Sequence, residues 1–154
     1  MDQDIKFMEL ALSLAREAAA IGEVPVGAVV VRDGEVIATA YNRRETGKNA
    51  LYHAEFSAID AACQALGGWR LHQCDLYVTL EPCPMCAGGI VNARIKRVVY
   101  GAPDEKAGAF GTVLDLNSFP LNHKPEIVGG VCEAESRALL QEFFATLRKR
   151  RAKQ

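Results

Sequence analysis

Met8, Ala11, Leu12, Ala15, Ala18 and Ala19 recur at three- and four-residue spacing, which marks one buried face of a helix, and Gly22 stops it. The period then changes. Residues 26–31 form an unbroken apolar, β-branched run of the kind a buried strand carries, Asp33-Gly34 makes a hairpin turn, and residues 35–40 supply the second strand. Residues 48–52 read as loop, after which Phe56, Ile59, Ala62 and Cys63 return to helical spacing until Gly67-Gly68 breaks the chain. Residues 75–79 predict a third strand, residues 84–93 another helix, and residues 97–100 a fourth strand, parallel to the third if that helix is a crossover. The stretch 102–125 is looser, with several Gly and Pro and one short helix expected near Val113. Residues 126–128 make a short fifth strand. From about Glu133 a long closing helix carries Leu139, Leu140, Phe143, Phe144 and Leu147, and one of the two phenylalanines is expected in the core. The alternation predicts an α/β fold, a three-layer α-β-α arrangement with a five-stranded mixed sheet between helical layers. A ligand site is then expected at the carboxyl ends of strands.

Composition narrows the class. A chain of 154 residues is expected to be a single domain, residues 1–154, with a substantial core. No apolar run approaches the roughly 20 residues of a membrane span, so no membrane partner is expected. The acidic start, Asp2 and Asp4 leading into an amphipathic helix, is unlike a signal peptide. Five cysteines are an odd number for a disulfide framework and suit a reducing, cytoplasmic setting. With a formal net charge of −1, any nucleic-acid contact needs a local patch. The one dense basic run is 148–153. Arg148, Lys149, Arg150 and Arg151 there read either as a solvated helix end or, with Phe144 upstream, as an RNA-backbone contact.

Candidate chemistry lies in His53-Ala54-Glu55 and Pro82-Cys83-Pro84-Met85-Cys86. One imidazole and two thiolates supply three ligands for a tetrahedral zinc and leave a fourth position for water, as a catalytic site requires. Mid-helix, residues two apart point about 200° away from each other, so His53 and Glu55 share a site only if a helix begins there. Pro84 suits a first helical position, which puts Cys83 and Cys86 at the start of a second helix, where both thiols are expected to ionise. The bland readings are weaker. A redox C-x-x-C leaves His53 and Glu55 unexplained, and a zinc ribbon needs a second cysteine pair that Cys63, Cys74 and Cys132 do not supply. Those three cysteines are expected to be small buried apolar residues. The spacing H-x-E then P-C-x-x-C is the general signature of zinc nucleobase deaminases, with the Glu as proton shuttle.

A resemblance extends beyond that core. Residues 22–29 (GEVPVGAV), Tyr41-Asn42, His53-Ala54-Glu55, residues 76–88 (LYVTLEPCPMCAG), residues 92–95 and 98–102, Asn122-His123 and Phe143-Phe144 closely resemble the bacterial tRNA-specific adenosine deaminases of the cytidine deaminase-like superfamily. The likeness covers nearly the whole chain. It implies a cytidine deaminase-like fold, one zinc per chain on His53, Cys83 and Cys86, and hydrolytic deamination of the wobble adenosine of a tRNA anticodon stem-loop by a homodimer. In the implied reaction Glu55 moves a proton from activated water to the ring nitrogen beside C6, then another to the departing amine. Ammonia leaves and inosine results. Asn42 stands at the family's base-contacting position, although a turn-forming Asn after a strand fits its sequence context equally. Val24 and Pro25 stand where an apolar wall for the flipped base belongs, or equally as strand-entry residues, and Ala54 offers a backbone amide.

Tyr52 and Pro103 depart from the family's pattern, in loops expected near the substrate. Two alternatives stay open on sequence alone. One is a deaminase of a free base, nucleoside or nucleotide, such as guanine, cytidine or deoxycytidylate. The other is a non-catalytic, zinc-stabilised RNA-binding subunit, against which the shuttle Glu55 argues.

Overall fold

Asp33 and Gly34 both adopt positive φ, 51° and 78°, the requirement of a tight two-residue hairpin, and they join β1 (Gly27–Arg32) to β2 (Glu35–Tyr41). This computed structural model describes residues 2–153. Ahead of the hairpin runs α1 (Asp2–Ala20); after it come α2 (Ala54–Leu66), β3 (Cys74–Leu80), α3 (Pro84–Ala93), β4 (Arg97–Ala102), a 3₁₀ turn (Leu116–Ser118), β5 (Glu126–Val128) and α4 (Glu133–Ala152). The strands form one sheet in the order β2-β1-β3-β4-β5. β1 is antiparallel to both neighbours, whereas β3, β4 and β5 run parallel, with α3 as the crossover between β3 and β4. The predicted mixed five-stranded sheet is therefore present.

Side chains alternate across β1 and divide the core in two. Ala28 and Val30 join Leu76, Val78 and Val98 on the face covered by α2 and α3, where Ala54, Ala58, Ala62, Ala87 and Ile90 are buried. Val29 and Val31 join Tyr77 and Val99 on the opposite face, under Phe7, Met8, Ala11 and Leu12 of α1. Gly27 permits this close approach. A Cβ there would fall 2.0 Å from the carbonyl oxygen of Ala11, so α1 lies directly on the start of β1.

Some expectations shift. The face that α2 lays on the sheet is Ala54, Ala58 and Ala62, spaced by four; Phe56 points outward and is 39 % exposed. Small alanines let the helix sit close to the sheet, and the larger apolar residue is the one left outside. The short helix expected near Val113 is instead the 3₁₀ turn three residues later, where Asp115 accepts a hydrogen bond from the Asn117 N–H. Neither phenylalanine of α4 enters a core cluster. Among the described residues of that helix only Ser136 is fully buried, pressed against Gly101 of β4. Cys74 is buried as expected, while Cys63 and Cys132 are half-buried.

Candidate metal centre and substrate pocket

His53 and Cys83 are the N-cap residues of α2 and α3, with extended backbones (φ −70°, ψ 153° and φ −74°, ψ 172°) and side chains that make no capping hydrogen bond. Pro84 takes a first-turn position of α3. Both side chains therefore project off helix starts, and Cys86, one turn in, points the same way. The ligand atoms of His53, Cys83 and Cys86 lie within 4.8 Å of one another, each Sγ being 3.6 Å from His53 Nδ1. A tetrahedral zinc with bonds of about 2.3 Å to sulfur and about 2.0 Å to nitrogen separates such atoms by about 3.5 Å. The donor set fits the metal in chemistry and in spacing.

Electrostatics favour a cation here. Hydrogen bonding with Cys86, and less strongly with His53, holds the Cys83 thiol down to about 4 against the effect of burial. The same thiol–thiol hydrogen bond, together with burial and the nearby Glu55 carboxyl, pushes Cys86 far up. Ionisation of both cysteines by helix position alone does not follow, because Cys86 is buried and the first thiolate opposes the second. A divalent cation supplies the missing compensation. His53 is raised by its hydrogen bond with Cys83. Glu55, 4 % exposed, is pushed up to about 7, chiefly by burial. Such a carboxyl exchanges a proton near neutral pH.

His53, Glu55 and Cys83 line a small open pocket of about 120 Å³. The sheet explains its walls. Because β1 is antiparallel to β3, the entry to β1 and the end of β2 lie beside the carboxyl end of β3. Val24, Val26, Asn42 and Arg44 therefore line the pocket with Leu80, Glu81 and Asp104. Pro25, between the two valines in the segment leading into β1, is buried and lies outside the lining. Asn42 plays the turn role: its Nδ2 donates to Val24 O and its Oδ1 accepts from Arg44 N, both at 3.3 Å. One N–H and one lone pair remain for a ligand. Ala54 is the first residue of α2, so its N–H has no intrahelical acceptor.

Two residues escaped the sequence reading. Glu23 and Glu81 are fully buried at 0 % and 1 % exposure, and both gather backbone amides. Glu23 accepts from Glu45 N (3.1 Å) and Thr46 N (2.6 Å). Burial works against its charge, yet these amides and Arg44 hold its carboxyl below the ordinary value. Glu81 accepts from Asp104 N (3.1 Å), Phe110 N (3.0 Å), Thr112 N (3.3 Å) and the Thr112 hydroxyl. The only signal in the sequence is an acidic residue beside an apolar strand, Glu81 directly after β3 and Glu23 a few residues before β1. Arg148, Lys149, Arg150 and Arg151 lie on the exposed last turns of α4, with Phe144 at 40 % exposure; none of them lines the pocket.

Comparison with known proteins agrees with this geometry. Residues 1–102 match the family described as the cytidine and deoxycytidylate deaminase zinc-binding region. The chain is 50 % identical over 152 residues to the tRNA-specific adenosine deaminase of Bacillus subtilis, covering 98 % of this chain and 94 % of that one. A structure from work on A-to-I editing by tRNA:A34 deaminases at the wobble position is 49 % identical, with a TM-score of 0.86, covering 88 % of this chain and 99 % of the other. A guanine deaminase from Nitrosomonas europaea is 25 % identical, with a TM-score of 0.78 over 90 % of this chain and 82 % of its own.

Proposed function

The chain belongs to the tRNA-specific adenosine deaminases of the cytidine and deoxycytidylate deaminase zinc-binding family, and from that premise we propose that it converts adenosine to inosine at the wobble position of a tRNA anticodon. The observation that carries the chemistry is the convergence of His53, Cys83 and Cys86 beside the buried carboxyl of Glu55. When bound, zinc supplies the Lewis acidity that brings the pKa of water down toward about 7. Glu55 would accept a proton from the attacking water and deliver it to the adenine ring nitrogen beside C6, which makes C6 electrophilic. The water oxygen bonds to C6, Glu55 takes the remaining proton of the resulting hydroxyl and passes it to the exocyclic amine, the C–N bond breaks, and ammonia leaves. Val24 and Val26 form an apolar wall for the base, Asn42 keeps one donor and one acceptor for its edge, and the Ala54 amide adds another donor.

The macromolecular substrate is favoured over a free base by similarity at 49–50 % identity, against 25 % to the guanine deaminase. RNA contact through Arg148, Lys149, Arg150, Arg151 and Phe144 is supported by their exposure on α4. A homodimer is supported by apolar side chains clustered at the helix starts, where Tyr52, Phe56, Ile59 and Met85 line two neighbouring grooves. Gly88 leaves α3 open to a close partner. We place the protein in the cytoplasm as one domain, in keeping with five free cysteines; no described helix is long and apolar enough to cross a membrane.

Turnover of an anticodon stem-loop tests the reading. We expect ammonia release from the wobble-adenosine stem-loop, none with guanosine in its place, and far weaker turnover of free adenosine, which lacks the remote contacts that position the base. Truncation before Arg148 is expected to weaken binding and flatten its salt dependence. Equal kcat/KM for free adenosine and the stem-loop would remove the RNA reading, and an unchanged salt slope would make the tail a solvated helix end. Sedimentation equilibrium of the same preparation should give the mass of two chains; one chain would refute the dimer.

A further inference from the structure

Two segments carry pocket residues without belonging to any helix or strand. Arg44 and its neighbours follow β2, and Asp104 begins a loop that follows β4. Such segments have no ladder to hold them. Each closes instead around one buried carboxylate. Glu23 takes the consecutive amides of Glu45 and Thr46, immediately after Arg44. Glu81 takes the amides of Asp104, Phe110 and Thr112 and the Thr112 hydroxyl, so four donors from one loop converge on one side chain.

The fit around Glu81 is tight. A Cβ at Gly108 would lie 2.5 Å from Glu81 Cδ and 2.6 Å from Asp104 O, so the loop is drawn onto the carboxylate with no room for a side chain. Glu81 also stands two residues before Cys83, and the intervening Pro82 accepts a hydrogen bond from Ala109 N (2.9 Å). The turn that presents a metal ligand and the loop that presents Asp104 therefore share one anchor. Neither carboxylate is left free for proton transfer, since its oxygens are committed to amides.

We propose that Glu81 and Glu23 are positioning residues for the reaction: each fixes one wall segment of the pocket, 104–112 and 44–46 respectively, at a set place relative to the metal ligands. The proposal rests on the deaminase reading, which supplies the substrate. A glutamine in either place has the same shape but turns one acceptor oxygen into a donor. At Glu81 each oxygen faces two donors: an amide in place of Oε2 sets N–H against the Phe110 and Thr112 N–H groups, and one in place of Oε1 sets N–H against the Asp104 N–H, where only the Thr112 hydroxyl can turn to accept. The wall then shifts while the ligands stay.

The test compares zinc-loaded Glu81→Gln and Glu23→Gln with wild type, normalising rates to bound zinc. The expected result is a loss of about tenfold or more in kcat/KM on the anticodon stem-loop, carried mostly by KM. Hydrogen exchange should rise locally, at 104–112 in Glu81→Gln and at 45–46 in Glu23→Gln. Gly108→Ala keeps the carboxylate but displaces the loop, and should give the Glu81→Gln signature if that variant folds poorly. A residue serving stability alone would lower Tm and leave both kinetic constants per zinc unchanged; that result, or unchanged local exchange, overturns the proposal. Absence of stem-loop turnover in wild type would instead sink the deaminase reading, and the exchange measurement would still decide the positioning role.

Discussion

At the amino ends of β3, β4 and β5, Asp75, Arg97 and Glu126 stand side by side in register, and Asp4 reaches them from α1. Arg97 donates to both oxygens of Asp4 (2.8 and 2.7 Å), and the buried Tyr77 hydroxyl donates to the same carboxylate at 2.7 Å. At the other end of the same sheet His53, Glu55, Cys83 and Cys86 are held as closely, but without matching charge. Arg97 holds Asp4 down to about 2, whereas burial raises Glu55 to about 7. The first cluster is satisfied and can only hold the fold; the second is unsatisfied and can take up a metal and move protons. Burial of ionisable groups is thus common to both ends, and completeness of pairing separates structure from chemistry.

Three substitutions sharpen that contrast. At the unsatisfied end, Cys86→Ala should strip the zinc and abolish turnover, read as metal content per chain beside the rate; full zinc retention would overturn the ligand set. Glu55→Ala should retain zinc and RNA affinity while losing at least about 10²-fold in kcat, and a near-wild-type rate would take Glu55 out of the mechanism. At the satisfied end, Asp4→Asn should cost about 2 kcal/mol of stability at neutral pH with kinetic constants unchanged. The sign follows from the depressed carboxyl. Its folded value of about 2 lies below the ordinary value of about 4, so its contribution is complete above pH ~4 and disappears as the pH falls through 2. Denaturation of wild type and Asp4→Asn should therefore converge in acid; a constant gap from pH 7 to pH 2 would show that Asp4 acts through packing.

Much of this was legible in the sequence where the signal is local. Asp33-Gly34 fixed the hairpin, and Pro84 placed Cys83 at a helix start. The His53-x-Glu55 spacing makes sense only at the beginning of α2. What was not legible depends on distance along the chain. Glu81 and the amides it gathers are 23 to 31 residues apart, and Glu23 lies 22 and 23 from its partners, so no window of periodicity contains either clamp. The outward turn of Phe56 also escaped, because helical spacing describes Phe56, Ile59 and Ala62 and also Ala54, Ala58 and Ala62, and only the closeness of α2 to the sheet chooses the alanines. Likewise α4 carries five large apolar residues and buries none of them fully, since it rests on the sheet through Ser136 at Gly101.

The order of these parts along the chain has a consequence during synthesis. The metal ligands lie between residues 53 and 86, at the starts of α2 and α3, and β1, β2 and β3, the strands that precede those helix starts in the chain, are complete by Leu80. The loop that closes on Glu81 lies at 104–112, and α4 begins only at Glu133. A chain that leaves the ribosome amino end first thus presents its whole metal-binding set before one wall of its pocket has been translated.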